Sequence, residues 1–93
     1  MTAASASLTR NVVVVNELGL HARSAAKLAR AAQQASGRVW LGKNTEYVDA
    51  KQVMDILTLA AAQGESVCVA VEDKADAGTL DTIVALIQSG FGE

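Results

Sequence analysis

Four short runs rich in apolar and β-branched residues alternate with stretches of helical period along this 93-residue chain, and no proline interrupts them. The runs are Leu8–Val15, Val39–Leu41, Tyr47–Ala50 and Val67–Val71. Each is long enough to cross a sheet once, and turn-forming stretches such as N-E-L-G, S-G and G-K-N-T punctuate the chain. A chain of this pattern must bury several small strands under helices that are themselves short.

The stretches between the strands set the layers. From Ala22 to Ala35, apolar residues recur at 25, 28, 29 and 32, with Lys27, Arg30, Gln33 and Gln34 on the other face. That is an amphipathic helix, closed by Ser36-Gly37. A last helix over Asp76–Ser89 carries a core stripe at 80, 83, 84 and 87, with Asp76 as its N-cap. Between them, Gln52 to about Ala61 reads as a short helix with apolar residues almost all round: Val53, Met54, Ile56, Leu57, Leu59 and Ala60. Either it is deeply buried, or it is a surface helix that exposes an apolar contact patch.

The resulting order is β-α-β-β-α-β-α, an α+β open-faced sandwich with a four-stranded sheet and three helices on one face. Leu8–Val15 reads as a strand buried in the sheet. Parity puts Val39, Leu41, Val48 and Ala50 on one face and Trp40, Tyr47 and Asp49 on the other, which fits a sheet covered on one side. Order alone also permits a ferredoxin-like small-molecule-binding domain, because the first six elements are shared. The site has to decide between them.

A chain of this size buries roughly 60–65% of its unfolded surface, enough for one core without staples. Residues 8–93 therefore read as one domain and residues 1–7, MTAASAS, as a flexible tail. The tail has neither the basic start nor the apolar run of a secretory signal. No stretch approaches the ~20 apolar residues needed to span a bilayer. Cys68, the one cysteine, has no partner for an internal disulfide and makes no metal cluster with a single histidine. A reduced, cytoplasmic setting without metal or cofactor is expected. The alternation V-C-V-A-V puts Cys68 in a strand, pointing into the core or out according to register.

Net charge is −2, unevenly spread. Between Leu18 and Thr45 stand five basic residues (Arg23, Lys27, Arg30, Arg38 and Lys43) and no acidic one, whereas Glu65 to the end carries six acids and only Lys74. Such a distribution solvates two helix faces, or steers acidic partners toward the basic end. Nucleic acid is not expected: the chain is acidic, with three aromatics and no RNA-binding signature.

The lone histidine, His21, lies in G-L-H-A-R-S-A, where a strand run ends and a helix begins. A single histidine is more often structural than functional, but three neighbours change the odds. Gly19 permits a tight turn. His21 then stands at the N-cap boundary, facing the free N–H groups of residues 22–25 and the positive end of the helix dipole. Arg23 adds a cation whose fork suits phosphate oxygens. Together these make an anion site holding a nucleophilic imidazole. No second acid or base stands nearby in sequence to activate water, as a hydrolase would need. Phosphoryl transfer is mostly positioning and charge neutralisation, so a group that accepts and hands on phosphoryl needs little else.

G-L-H-A-R-S-A-A-K-L resembles the active-site motif of the HPr family, the histidine-containing phosphocarriers of the bacterial phosphotransferase system. V-D-A-K-Q-V-M-D-I-L-T-L-A-A-A-Q-G resembles that family's second signature, and the likeness covers roughly residues 8–91. N-E-L-G-L-H-A-R and the ending S-G-F-G-E are similar to proteobacterial and nitrogen-branch members. The resemblance implies that His21 accepts phosphoryl on Nδ1, that Arg23 orients and neutralises it, and that the backbone of Ala22, Arg23 and Ser24 binds it. It implies enzyme I, charged from phosphoenolpyruvate, as donor and a IIA domain as acceptor. It places Leu20, Val53, Met54 and Leu57 on an apolar docking rim of a monomer that is a carrier rather than a stand-alone enzyme.

Two departures stand out. The family usually has proline where this chain has Ser24, which implies a tolerated replacement with a modest effect on rate or helix rigidity. The family's regulatory serine falls at Gln52, which has no phosphorylatable oxygen, so that switch is expected to be absent. Asp55 also adds a negative charge to the rim. An alternative reading keeps the fold but makes the protein mainly regulatory, its binding switched by phosphorylation of His21.

Overall fold

Alternation along the strands decides which residues face the helices. The computed structural model describes residues 5–93, so positions 1–4 of the expected tail lie outside the described residues. The chain runs through β1 (Leu8–Val13), α1 (Ala22–Ala32), β2 (Val39–Lys43), β3 (Glu46–Asp49), α2 (Val53–Thr58), β4 (Ser66–Val71) and α3 (Ala77–Gln88). Short 3-10 turns precede and follow α3, at Lys74–Asp76 and Gly90–Gly92. The order β-α-β-β-α-β-α and the four-stranded sheet with three helices are those read from the pattern of the sequence.

All pairings are antiparallel and the sheet order is β1-β4-β2-β3. Trp40 pairs with Asp49 and Leu41 with Val48, the register that parity requires. Val39, Leu41 and Ala50 are buried in the core with Val67, Val69 and Val71 of β4. From the helices, Leu28 of α1, Ile56 of α2 and Leu80, Ile83 and Ile87 of α3 close over them. Trp40 is buried as well but stands outside this cluster, on the opposite row of β2. Cys68 shares that opposite row in β4 and is half-buried.

The first strand differs from expectation. It is not buried within the sheet: among the described residues β1 is an edge strand, bonded only to β4, and it ends at Val13. Val12 and Val14 turn inward while Val13 and Val15 are exposed, so an unbroken valine run here is an alternating edge. Ser7 is also tied down, its N–H donating to Val71 O at 2.9 Å and its hydroxyl to Glu72 O at 2.7 Å. The expected tail therefore cannot include Ser7.

Helix ends shift too. α1 stops at Ala32, with Gln33 rather than the Ser36-Gly37 pair at its C-cap. α2 is only six residues long, and Gln52 precedes it. Asp76 stands at the N-cap of α3 without capping it. Its carboxylate instead accepts the N–H groups of Ser36 (3.0 Å) and Gly37 (2.9 Å) and the Ser36 hydroxyl (3.2 Å). The bonds from the Gly37 and Ser36 backbone hold this carboxyl below its ordinary value. Asp76 thus staples the α1–β2 connection to the start of α3.

Candidate functional site

The site begins with Gly19. Its φ of +66° is a left-handed conformation, and a Cβ there would stand 2.5 Å from Ala61 O. Only glycine fits. The next residue, Leu20, donates its N–H to the same Ala61 oxygen at 2.9 Å, joining this turn to the segment after α2. Buried Asn16 closes the turn from inside, its Nδ2 donating to Gly19 O at 2.7 Å. The backbone is therefore fixed on both sides before it reaches the histidine.

His21 is the N-cap of α1, with extended backbone (φ −107°, ψ −177°). Its N–H donates to Ser24 Oγ at 3.0 Å, and the Ser24 hydroxyl donates in turn to Gly19 O at 3.0 Å. The Arg23 N–H donates to His21 Nδ1 at 3.3 Å. Ala25 N–H is already used by His21 O at 2.8 Å, and those of Arg23 and Ser24 face the His21 side chain, so the N–H groups of residues 22–24 are all open to an anion only once Nδ1 stops accepting. Because Nδ1 accepts an N–H, it carries the lone pair, and the ring proton belongs on Nε2.

Nε2 lies 2.6 Å from Glu93 Oε2, while Glu93 Oε1 accepts from Asn16 Nδ2 at 3.0 Å. The two side chains are 30% and 19% exposed. Burial pushes the Glu93 carboxyl up, but the hydrogen bonds from Asn16 and His21 and the charge of Lys27 outweigh it and leave it below its ordinary value. Lys27 Nζ donates to Phe91 O at 2.7 Å, and Phe91 is buried in the core. Residue 93 is brought here by left-handed backbone at Gly90, Phe91 and Gly92, which turns the chain back after α3. The sequence reading missed this contact, since it spans 72 positions and the only local signal is a phenylalanine between two glycines.

Arg23 is exposed, with no side-chain hydrogen bond or ion pair among the described residues. Its guanidinium is free to meet an incoming anion. Ser24 is not merely a tolerated replacement. It is fully buried, and its hydroxyl is the bridge between Gly19 and His21.

The expected docking rim needs one correction. Leu20 is 6% exposed and packs in the core, because its N–H bond to Ala61 turns the side chain inward. Val53 and Leu57 are half-buried, while Met54 is 73% exposed. The surface-helix reading of α2 therefore holds for its Met54 side and the buried reading for Ile56. Leu18, 72% exposed three residues before the histidine, is an apolar surface residue that the sequence reading passed over. Gln52 is exposed at the N-cap of α2, its side chain making no cap bond, and Asp55 lies in the first turn of that helix. Among the described residues, no three of His, Cys, Asp and Glu gather as metal ligands, and no helix is long and apolar enough to cross a membrane.

Comparison with known proteins gives the arrangement a context. A family model described as "PTS HPr component phosphorylation site" matches residues 8–89. The Phosphocarrier protein HPr of Cupriavidus necator is 37% identical over 86 residues, covering 92% of this chain and 97% of the relative. That of Pseudomonas aeruginosa is 36% identical, covering 88% and 92%. Among solved structures, HPr from Thermoanaerobacter tengcongensis superposes with a TM-score of 0.87 at 34% identity, covering 92% of this chain and 97% of that one. HPr from Bacillus anthracis gives 0.81 at 27% identity, covering 87% and 96%. The fold is the open-faced sandwich of these proteins, and the ferredoxin-like alternative is set aside.

Proposed function

The chain belongs to the HPr family of phosphotransferase-system phosphocarriers, and on that premise we propose that His21 accepts a phosphoryl group on Nδ1 from phosphorylated enzyme I and passes it to a IIA domain in the cytoplasm. The observation that carries this reading is the position of Nδ1: it caps α1 and accepts the Arg23 N–H at the positive end of that helix.

The chemistry follows from that position. The Nδ1 lone pair attacks phosphorus as the donor's bond to phosphorus breaks, and the bonding pair leaves with the donor. Once Nδ1 bonds phosphorus it can no longer accept the Arg23 N–H. That N–H, with those of Ala22 and Ser24, is then available to the phosphoryl oxygens at the positive end of α1. The Arg23 side chain adds a mobile counter-charge. Glu93, the carboxylate nearest the ring, faces Nε2 and not Nδ1, so it is badly placed to activate water against the phosphoryl group. This supports a carrier that holds phosphoryl until a partner takes it, and not a hydrolase.

Met54, with Val53 and Leu57 behind it, supplies an apolar surface for donor and acceptor alike, and exposed Leu18 is added to that set. Gln52 lacks the hydroxyl that a regulatory kinase would need.

The test is direct. The intact protein, incubated with phosphoenolpyruvate and enzyme I, gains about 80 Da as an acid-labile, base-stable adduct. His21→Ala abolishes the gain; a mutant that still labels would overturn the assignment.

A further inference from the structure

The residues that lead into His21 rest on the segment between α2 and β4. Val14 N–H donates to Glu65 O at 2.9 Å, and Gly64 N–H to Val14 O at 2.8 Å. Gln63 Nε2 donates to Val15 O at 3.0 Å, and Leu20 N–H to Ala61 O at 2.9 Å. Residues 60–65 are held in turn by a lysine from the sheet. Lys43, at the end of β2, donates from Nζ to Ala60 O at 3.2 Å and to Glu65 Oε1 at 3.1 Å. That same Oε1 accepts the Ala62 N–H at 2.8 Å. The bonds from Ala62 and Lys43 hold the Glu65 carboxyl below its ordinary value. Ala60 has a φ of +50°, left-handed backbone that an alanine keeps only where its surroundings impose it. Ala61 thus stands between Ala60, bonded to the ammonium, and Ala62, bonded to the carboxylate that the ammonium meets. With side chains 19% and 41% exposed, the Lys43–Glu65 pair is too wet to add much stability. What it fixes is a geometry.

We propose that Lys43 is a positioning residue for phosphoryl acceptance, fixing the Ala61 carbonyl that seats Leu20 and thereby the place of His21 Nδ1. This rests on the reading of His21 as the phosphoryl acceptor. The chain of contact is short. A Cβ on Gly19 would stand 2.5 Å from Ala61 O, so a carbonyl displaced toward the turn meets its backbone and pushes it. A carbonyl displaced the other way loses the Leu20 N–H, one residue before the histidine. Attack by Nδ1 depends on its position to within about an ångström, so a small shift costs rate without altering the chemistry. The Lys43 bonds run to Ala60 and Glu65 and not to the ring, so the lysine acts only through residues 60–65.

The test uses the full chain as wild type, Lys43→Met and Glu65→Ala, each first shown to be folded by its backbone amide spectrum. Single-turnover transfer from phosphorylated enzyme I, at varied concentration of the protein, separates the limiting rate from the half-saturation concentration. Both variants are expected to lower the limiting rate about three- to tenfold, with half-saturation within about twofold of wild type. Hydrogen exchange is expected to show the Leu20 amide opening about tenfold faster in both, as its acceptor loosens. A merely structural lysine would lower the unfolding midpoint and leave the limiting rate of the folded protein where it was. A limiting rate within about twofold of wild type in both variants therefore overturns the proposal. So does a loss that falls on half-saturation alone, which makes Lys43 a docking contact, or an unchanged Leu20 exchange rate. If Lys43→Met fails to fold, Glu65→Ala decides by the same criteria. If the wild type takes no phosphoryl from enzyme I, the reading of His21 fails instead, and Leu20 exchange alone still judges whether Lys43 holds the carbonyl.

Discussion

Gly19, Ser24 and Arg23 lie within five positions of one another, yet their substitutions separate sharply. Gly19→Ala is expected to destabilise the fold by about 1–3 kcal/mol in denaturant unfolding, because φ is +66° and the new methyl would meet Ala61 O. Ser24→Ala removes the bridge from Gly19 O to His21 and leaves the His21 N–H without its acceptor, while Gly19 O keeps its bond from Asn16. It is expected to cost about 1–2 kcal/mol by the same measurement and to slow phosphoryl uptake as the histidine loop loosens. Arg23→Ala touches nothing in the fold, so stability is expected to stay within about 0.5 kcal/mol of wild type. Phosphoryl transfer from enzyme I, followed by rapid quench, is expected to fall about 10²–10³-fold. The place of His21 and Arg23 at a helix start was legible in the sequence because such a start can be read from local pattern. The role of Ser24 was not, since a buried serine and an exposed one look alike in one dimension.

At the scale of elements, α2 divides into two faces whose consequences differ. Ile56 is fully buried, and Ile56→Ala is expected to cost about 2–5 kcal/mol in thermal or denaturant unfolding. Met54→Ala on the opposite side is expected to leave stability within about 0.5 kcal/mol while weakening enzyme I binding in titration calorimetry. An unchanged affinity would remove Met54 from the docking surface. The composition of this helix could not say which residue was which, because six residues make too few turns for a periodic signal. The turn after α3 behaves as an element of its own. Phe91 holds φ of 60° and a place in the core, and its carbonyl receives Lys27. Phe91→Ala is expected to cost about 3–5 kcal/mol and to release Glu93 from His21, which the ring 15N shifts would report. The edge position of β1 shows the same limit. Its valines fitted a buried strand equally well, and only the absence of a partner on its far side decided between the two.

Across the whole molecule, Asp76 ties the α1–β2 connection to α3, and its depressed carboxyl makes that tie dependent on acidity. A carboxyl lowered on folding stabilises the native state fully above its unfolded value, near 3.8, and loses that contribution as pH falls toward the lower folded value. Stability measured from pH 6 down to pH 2 is therefore expected to drop below about pH 4, and Asp76→Asn is expected to flatten that part of the curve. Local pattern carried a good deal of this protein. Strand and helix order, the inward faces of β2 and β3, the stripe of α1 and the placing of His21 at a helix start all follow from periodicity, capping and short-range sterics. Those forces act between residues a few positions apart, so one chain is enough to read them. The edge placement of β1, the inward turn of Leu20, the diversion of Asp76 from capping to stapling, and the meeting of Glu93 with His21 follow from contacts across 39 to 72 positions or from a missing neighbour. Only packing decides these, because a side chain's partner is set by where the whole fold leaves room and which polar groups it buries.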